Sequence, residues 1–168
     1  MFTNRVRQAI AATLQGLPLS ATVEDFTPPK IEFDMELMAG GRFIAEEMAK
    51  SGKPLTAKLT LQGVGPEIML ALGVTLGDDI LLNVREAGQD QDGNTWFTYH
   101  TVGGKLKSLE ETTLKMGEKP KTILELACRT YNRLENGIPV IDIDVRTQKF
   151  VLNGVDILGD ARRAVLLP

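Results

Sequence analysis

The chain has 168 residues, enough for one domain with a real core, so neither a metal nor a disulfide is needed to explain folding. Its single cysteine, Cys128, excludes an intramolecular disulfide and a thiolate metal cluster and suits a reducing compartment, while a formal net charge of −3 is the wrong sign for gripping nucleic-acid phosphates. Apolar residues make up 43% but aromatics only 5%, so the core is expected to rest on Leu, Ile, Val, Met and Ala.

The N-terminal stretch MFTNRVRQAIAATLQGLPLSA is interrupted by Gln8, Thr13, Gln15 and Gly16 and is too short to span a bilayer. Ala9 to Leu14 imitates a signal-peptide core only faintly. Residues 5–14 fit two readings. Propensity favours a helix with Val6, Ala9, Ile10 and Leu14 on one side, and a strand ending at a Gln15–Gly16 turn also fits. Pro28 and Pro29 then enforce extended backbone.

Ile31, Phe33, Met35 and Leu37 alternate with Lys30, Glu32, Asp34 and Glu36, the period of a strand with one apolar and one charged face. Leu55, Ala57, Leu59 and Leu61 alternate in the same way with Thr56, Lys58, Thr60 and Gln62. These segments read as two arms of a long hairpin, residues 30–62, with a projecting loop at 39–53. A short helix in that loop would gather Phe43, Ile44 and Met48 on one side, three large apolar side chains that something must bury.

Gly65–Pro66 opens a short central helix with Ile68, Met69 and Leu72 on its apolar face and Gly73 at its end. Strands are expected at 80–87, 95–102, 105–114, 121–134 and 138–145, with turns at Asp92–Gly93–Asn94, Met116–Gly117–Glu118, Asn136–Gly137 and Asn153–Gly154. A last helical turn falls within 157–167. The sum is a single domain of mainly β (α+β) class. It reads as an antiparallel sandwich or barrel-like sheet of about seven or eight strands, one central short helix and a long hairpin arm.

No catalytic set is legible. His100, the lone histidine, sits mid-strand in TWFTYHTV and reads as structural. Cys128 shares a strand face with Leu124 and Leu126 and reads as buried and inert. Asp90, Asp92 and Asn94 hint at a calcium loop, but Thr95 stands where glycine is required. Gly103–Gly104–Lys105 lacks the rest of a phosphate-binding loop, and Gly63–Val64–Gly65 is only a fragment of a dinucleotide fingerprint. Asp142 and Asp144 share a strand face without a readable cleft. No enzyme activity, cofactor or metal is expected.

Three segments carry a family resemblance: VEDFTPPKIEFDMELMAGG at 23–41, KLTLQGVGPEIMLALG at 58–73, and IDIDVRTQKFVLNGVDILGDARRAVLL near the C-terminus. In order and spacing they resemble the major tail tube proteins of contractile-tailed phages. The C-terminal match runs through Ile143, Asp144, Asn153, Gly154, Val155, Asp156, Arg162, Arg163 and Ala164. The chain departs from the family where ATLQGLPLS lacks the usual aromatics and where Leu37–Met38 replaces Tyr-Arg.

The resemblance implies hexameric rings stacked into a hollow tube that conducts DNA, with the hairpin arm completing a multi-subunit lumen barrel. It implies Glu32, Asp34, Glu36 and Lys58 facing the lumen and Phe43, Ile44 and Met48 in a subunit interface. Implied partners are further copies of the chain, the tail sheath, a tape-measure protein and DNA held loosely in the lumen, and baseplate and terminator proteins. The implied location is the virion, after assembly in the host cytoplasm and without a membrane. The tube of a phage-derived bacteriocin or of a secretion-type injection machine would fit the same residues. A monomeric β-sandwich binding module is the alternative from another class.

Overall fold

A computed structural model describes residues 3–19, 22–63, 65–66, 68, 79–112 and 114–165. The described strands are β1 (Arg5–Leu14), β2 (Leu17–Pro18), β3 (Val23–Thr27), β4 (Phe33–Met38), β5 (Glu46–Gly52), β6 (Thr56–Gln62), β7 (Ile80–Asp90), β8 (Thr95–Glu111), β9 (Lys121–Glu135), β10 (Ile138–Asp144), β11 (Lys149–Leu152) and β12 (Val155–Asp156). One short helix, α1 (Gly159–Ala164), follows them.

Strand side chains alternate between faces, and β7 shows the consequence: Ile80, Leu82 and Val84 are buried while Leu81 and Arg85 face out. The inward rows of neighbouring strands meet this one, so that Ala12 and Leu14 of β1, Leu59 and Leu61 of β6, Val102 of β8 and Leu124 and Leu126 of β9 form one core. That core is mainly aliphatic, as the composition requires, with Tyr131 buried in it.

Ten strands make one antiparallel sheet. Its main path is β12-β11-β10-β9-β8-β7-β1-β2, with β6 and β3 branching from β9. The branch arises because β9 is long. The first half of one edge pairs with β6 and the second half with β10, while the other edge pairs with β8. The sheet curls back on itself. Leu19, just past β2, donates its N–H to Ala12 of β1 and accepts one from Val23 of β3, tying the two ends of the six-strand path from β3 to β1 together. The result is barrel-like, in agreement with the mainly β, antiparallel expectation.

Several elements differ in detail from the sequence reading. Residues 5–14 are a strand, and the turn after it is set by Gln15 and Gly16, both at positive φ. The strands expected at 95–102 and 105–114 are one continuous β8. The Gly103–Gly104 pair between the two expected segments lies inside it, and a Cβ on Gly104 would collide with the carbonyl oxygen of Ala127. Only glycine allows β8 and β9 to approach so closely there.

The long hairpin pairs differently from expectation. β4 pairs not with 55–61 but with β5, inside the segment read as loop, and the two form a separate two-stranded sheet. β6 instead lies between β3 and β9 in the main sheet. The short helix expected around Phe43, Ile44 and Met48 is therefore absent. Gly40 and Gly41, both at positive φ, turn the chain, and EEMAKSG runs back along β4. Its Glu, Ala, Lys and Gly have low strand propensity, so the pairing decides its conformation. The expected central helix at 65–73 falls mostly outside the described residues.

Candidate functional site

The β4–β5 hairpin stands apart from the barrel with every residue of both strands exposed. Residues directly opposite across an antiparallel pair share a face. On one face Asp34, Glu36 and Met38 oppose Ser51, Met48 and Glu46; on the other Phe33, Met35 and Leu37 oppose Gly52, Ala49 and Glu47. The hairpin is thus two-sided, one face acidic and the other largely apolar. At its base the apolar row meets the barrel, where the rings of Phe33 and Phe150 lie 5.8 Å apart. Beyond that point Met35 and Leu37 have no cover.

The carboxylate row is not uniform. Lys53 Nζ lies 3.3 Å from Glu32 and 3.8 Å from Asp34, and Lys30 Nζ lies 3.6 Å from Glu32. The Lys53 hydrogen bond, with the charges of Lys30 and Lys53, holds Glu32 below the usual carboxylate range. Glu36, farther out, faces Met48. Lys58 does not stand across from this row; on β6 it lies between Thr27 and Glu125. Phe43 and Ile44 are exposed at the hairpin tip, whereas Met48 belongs to the acidic face.

A second polar assembly closes one end of the barrel. Glu86 occupies an inward position two residues beyond Val84, paired with Arg7 and 3.7 Å from His100 Nε2. His100 Nδ1 is 3.0 Å from the Tyr131 hydroxyl, and Phe26 packs against the imidazole at 5.5 Å. Burial lowers the His100 pKa, and the pull of Glu86 in the opposite direction is smaller. Burial also pushes the Tyr131 phenol up to about 12. Arg133 Nη2 binds Glu135 at 2.6 Å, and Arg5 lies over the Trp96 ring. This assembly escaped the sequence reading. Its signal was a charged residue, Glu86, in register with the buried row of β7.

The remaining sequence candidates have structural roles. Cys128 is buried and its thiol is pushed up to about 11 by desolvation. Asp90 accepts the N–H groups of Asp92 and Asn94 at 3.0 and 2.8 Å, so its carboxylate fixes the turn; the Asn94 N–H is the main reason its pKa is lowered. Asp142 pairs with Lys149 at 2.6 Å, and Asp144 accepts the Arg146 N–H at 3.0 Å. Among the described residues no group of three or more His, Cys, Asp or Glu could hold a metal ion, and no helix is long and apolar enough to cross a membrane.

Residues 7–165 match the family described as Phage tail tube protein FII. No curated protein matches the chain. A solved structure described as the cryo-EM structure of the anti-feeding prophage (AFP) baseplate, 6-fold symmetrised, contains a similar chain at 14% identity and a TM-score of 0.46, covering 80% of this chain and 97% of that one.

Proposed function

Because the chain belongs to the phage tail tube protein FII family, a family of structural tube proteins, we propose that it is the repeating subunit of a contractile tail tube. In this reading it forms hexameric rings that stack into a hollow, DNA-conducting tube. The observation that carries the proposal is the two-sided β4–β5 hairpin. A lone two-stranded hairpin is marginal in water, and its unpaired edges invite further strands. Neighbouring hairpins that pair edge to edge would satisfy those edges and close a barrel shared between subunits.

The acidic face then lines the lumen. Asp34 and Glu36, with Glu32 at the hairpin base, repeat around the ring and repel phosphate, so DNA passes without adhering. Lys58 joins the lumen wall from β6, beside Glu125. The apolar face and the tip residues Phe43 and Ile44 bury themselves against neighbouring copies. Met48, on the acidic face, packs between adjacent hairpins. Head-to-tail contacts of this kind close into rings when the rotation allows and extend by stacking. Further partners are the sheath outside, a tape-measure protein and DNA inside, and baseplate and terminator proteins at the ends, with assembly in the host cytoplasm before incorporation in the virion.

Negative-stain electron microscopy of the concentrated protein, beside light scattering of dilute protein, tests the reading. Rings or tubes with a lumen wide enough for duplex DNA are expected. Monomers alone, even with seed tubes or a baseplate initiator added, would overturn it in favour of a monomeric binding module. The same geometry serves the tube of a bacteriocin or a secretion-type injection machine; neighbouring capsid genes would distinguish a phage tail from these.

A further inference from the structure

We propose that the charged end of the barrel is a carboxylate-binding site, with Trp96 Nε1 and Arg133 Nε as its donors. Both atoms are buried with no hydrogen-bond acceptor, and Trp96 as a whole is 7% exposed. Buried N–H groups in native proteins nearly always have an acceptor, so two orphans in one place call for one. Both residues line a cleft of about 280 Å³ together with Arg5, Arg7, Glu86 and Glu135.

The charges in the cleft do not balance. Glu86 is taken by Arg7, and Glu135 by Arg133 and Arg5. Within this cleft three guanidinium groups thus face two carboxylates; of the two further carboxylates in the adjoining cleft, beside Arg7 and Arg133, Glu24 is held by Lys121 and the other is Asp25. One singly charged group with two acceptor oxygens would neutralise the surplus and satisfy both orphan donors, which is the description of a carboxylate.

The chain itself carries a carboxylate in need of such a site. Glu47 lies on the apolar face of the hairpin, among Phe33, Met35, Leu37 and Ala49. When that face is covered, Glu47 is carried into an apolar contact, where a carboxylate is stable only if paired. The Glu47 of a second copy is therefore the occupant in the assembled state. This last step rests on the tube reading, whereas the site itself does not.

Trp96 is the only tryptophan, so its indole N–H gives a single resonance that reports on the site. Dilute, ¹⁵N-labelled full-length protein is titrated with sodium acetate replacing sodium chloride at constant ionic strength. The indole N–H signal should move saturably, and Arg133→Lys, which keeps the charge but removes the Nε donor, should weaken the response about tenfold. An unmoved indole signal in the folded wild-type protein overturns the site without reference to any variant. In a second arm, Glu47→Gln should slow assembly and abolish the change in Trp96 fluorescence that accompanies it. If acetate binds but Glu47→Gln assembles with the wild-type fluorescence change, Glu47 is overturned as the source and the site serves a free carboxylate. If no assembly occurs under any condition, the tube reading fails while the acetate titration still decides the site.

Discussion

Phe33 and Phe150 meet ring to ring, 5.8 Å apart, at the place where the β4–β5 hairpin leaves the barrel. This contact joins the first residue of β4 to the second residue of β11, across elements that share no strand pairing. It is a contact between the base of an otherwise exposed hairpin and the barrel.

Phe150→Ala should therefore loosen the hairpin more than the barrel. A stability loss of about 1–3 kcal/mol is expected, from the lost aromatic pair and the partly buried ring. Limited trypsin digestion would detect the effect as faster cleavage after Arg42 and Lys50, with the barrel resistant. Unchanged cleavage would show that the ring contact does not position the hairpin.

Phe43→Asp should leave the folded subunit as stable as the wild type, within about 0.5 kcal/mol, because the side chain is fully exposed at the tip. Assembly should fail, since burying a carboxylate in an apolar interface is costly. Circular dichroism melts check the first part and light scattering the second. Wild-type assembly by the variant would remove Phe43 from the interface.

Asp34→Lys combined with Glu36→Lys reverses the acidic face while sparing Glu32 and its contact with Lys53. Tubes should still form, and they should now retain duplex DNA in a salt-dependent manner, each added lysine steepening the salt dependence. Retention would be read by co-sedimentation. Loss of assembly instead would place these two residues in a subunit contact.

His100 makes stability fall below neutral pH. Its folded-state pKa is lowered from 6.5 chiefly by burial, with Arg133 and Arg7 adding to the effect and Glu86 opposing it, while the Tyr131 phenol occupies Nδ1. The unfolded chain therefore takes up the proton first. Stability is complete above about pH 6.5 and declines as the pH falls from there toward the lowered value. Urea unfolding at about pH 7.5 and about pH 5.5 should show this decline, and His100→Gln should flatten it. The exposed carboxylates Glu32 and Asp90, also lowered, act in a separate and more acidic window. An equal decline in His100→Gln would assign the effect to other groups.

Much of the barrel was legible because period-two burial leaves a direct trace, as in the alternation of Ala57, Leu59 and Leu61 with their polar neighbours, and because Asn136–Gly137 and Asn153–Gly154 are specific turn signals. The partner of β4 was not legible. The segments 31–37 and 55–61 match in length and pattern, but alternation says which face a strand buries and nothing about which strand it joins. β5 has no pattern of its own and is a strand only because Gly40 and Gly41 fold it onto β4. The charged end of the barrel was also hidden. Arg7, Glu86, His100 and Arg133 come from four strands, and only their register brings them together.

The branched sheet has a consequence for the order in which the chain can fold. From β7 through β12 each strand pairs with its predecessor, so this meander needs only short loops to close. β1 must wait for β7, and β6 for β9, with long stretches of chain between. Closing such loops costs entropy before any contact repays it. On the ribosome the N-terminal half therefore emerges with only its own pairings, β1–β2, β3–β6 and β4–β5, and can join the rest of the barrel only once β7–β9 have been made. Pulse-labelled hydrogen exchange during refolding should find β8–β11 amides protected before those of β1 and β6; simultaneous protection would mean that the barrel closes in one step.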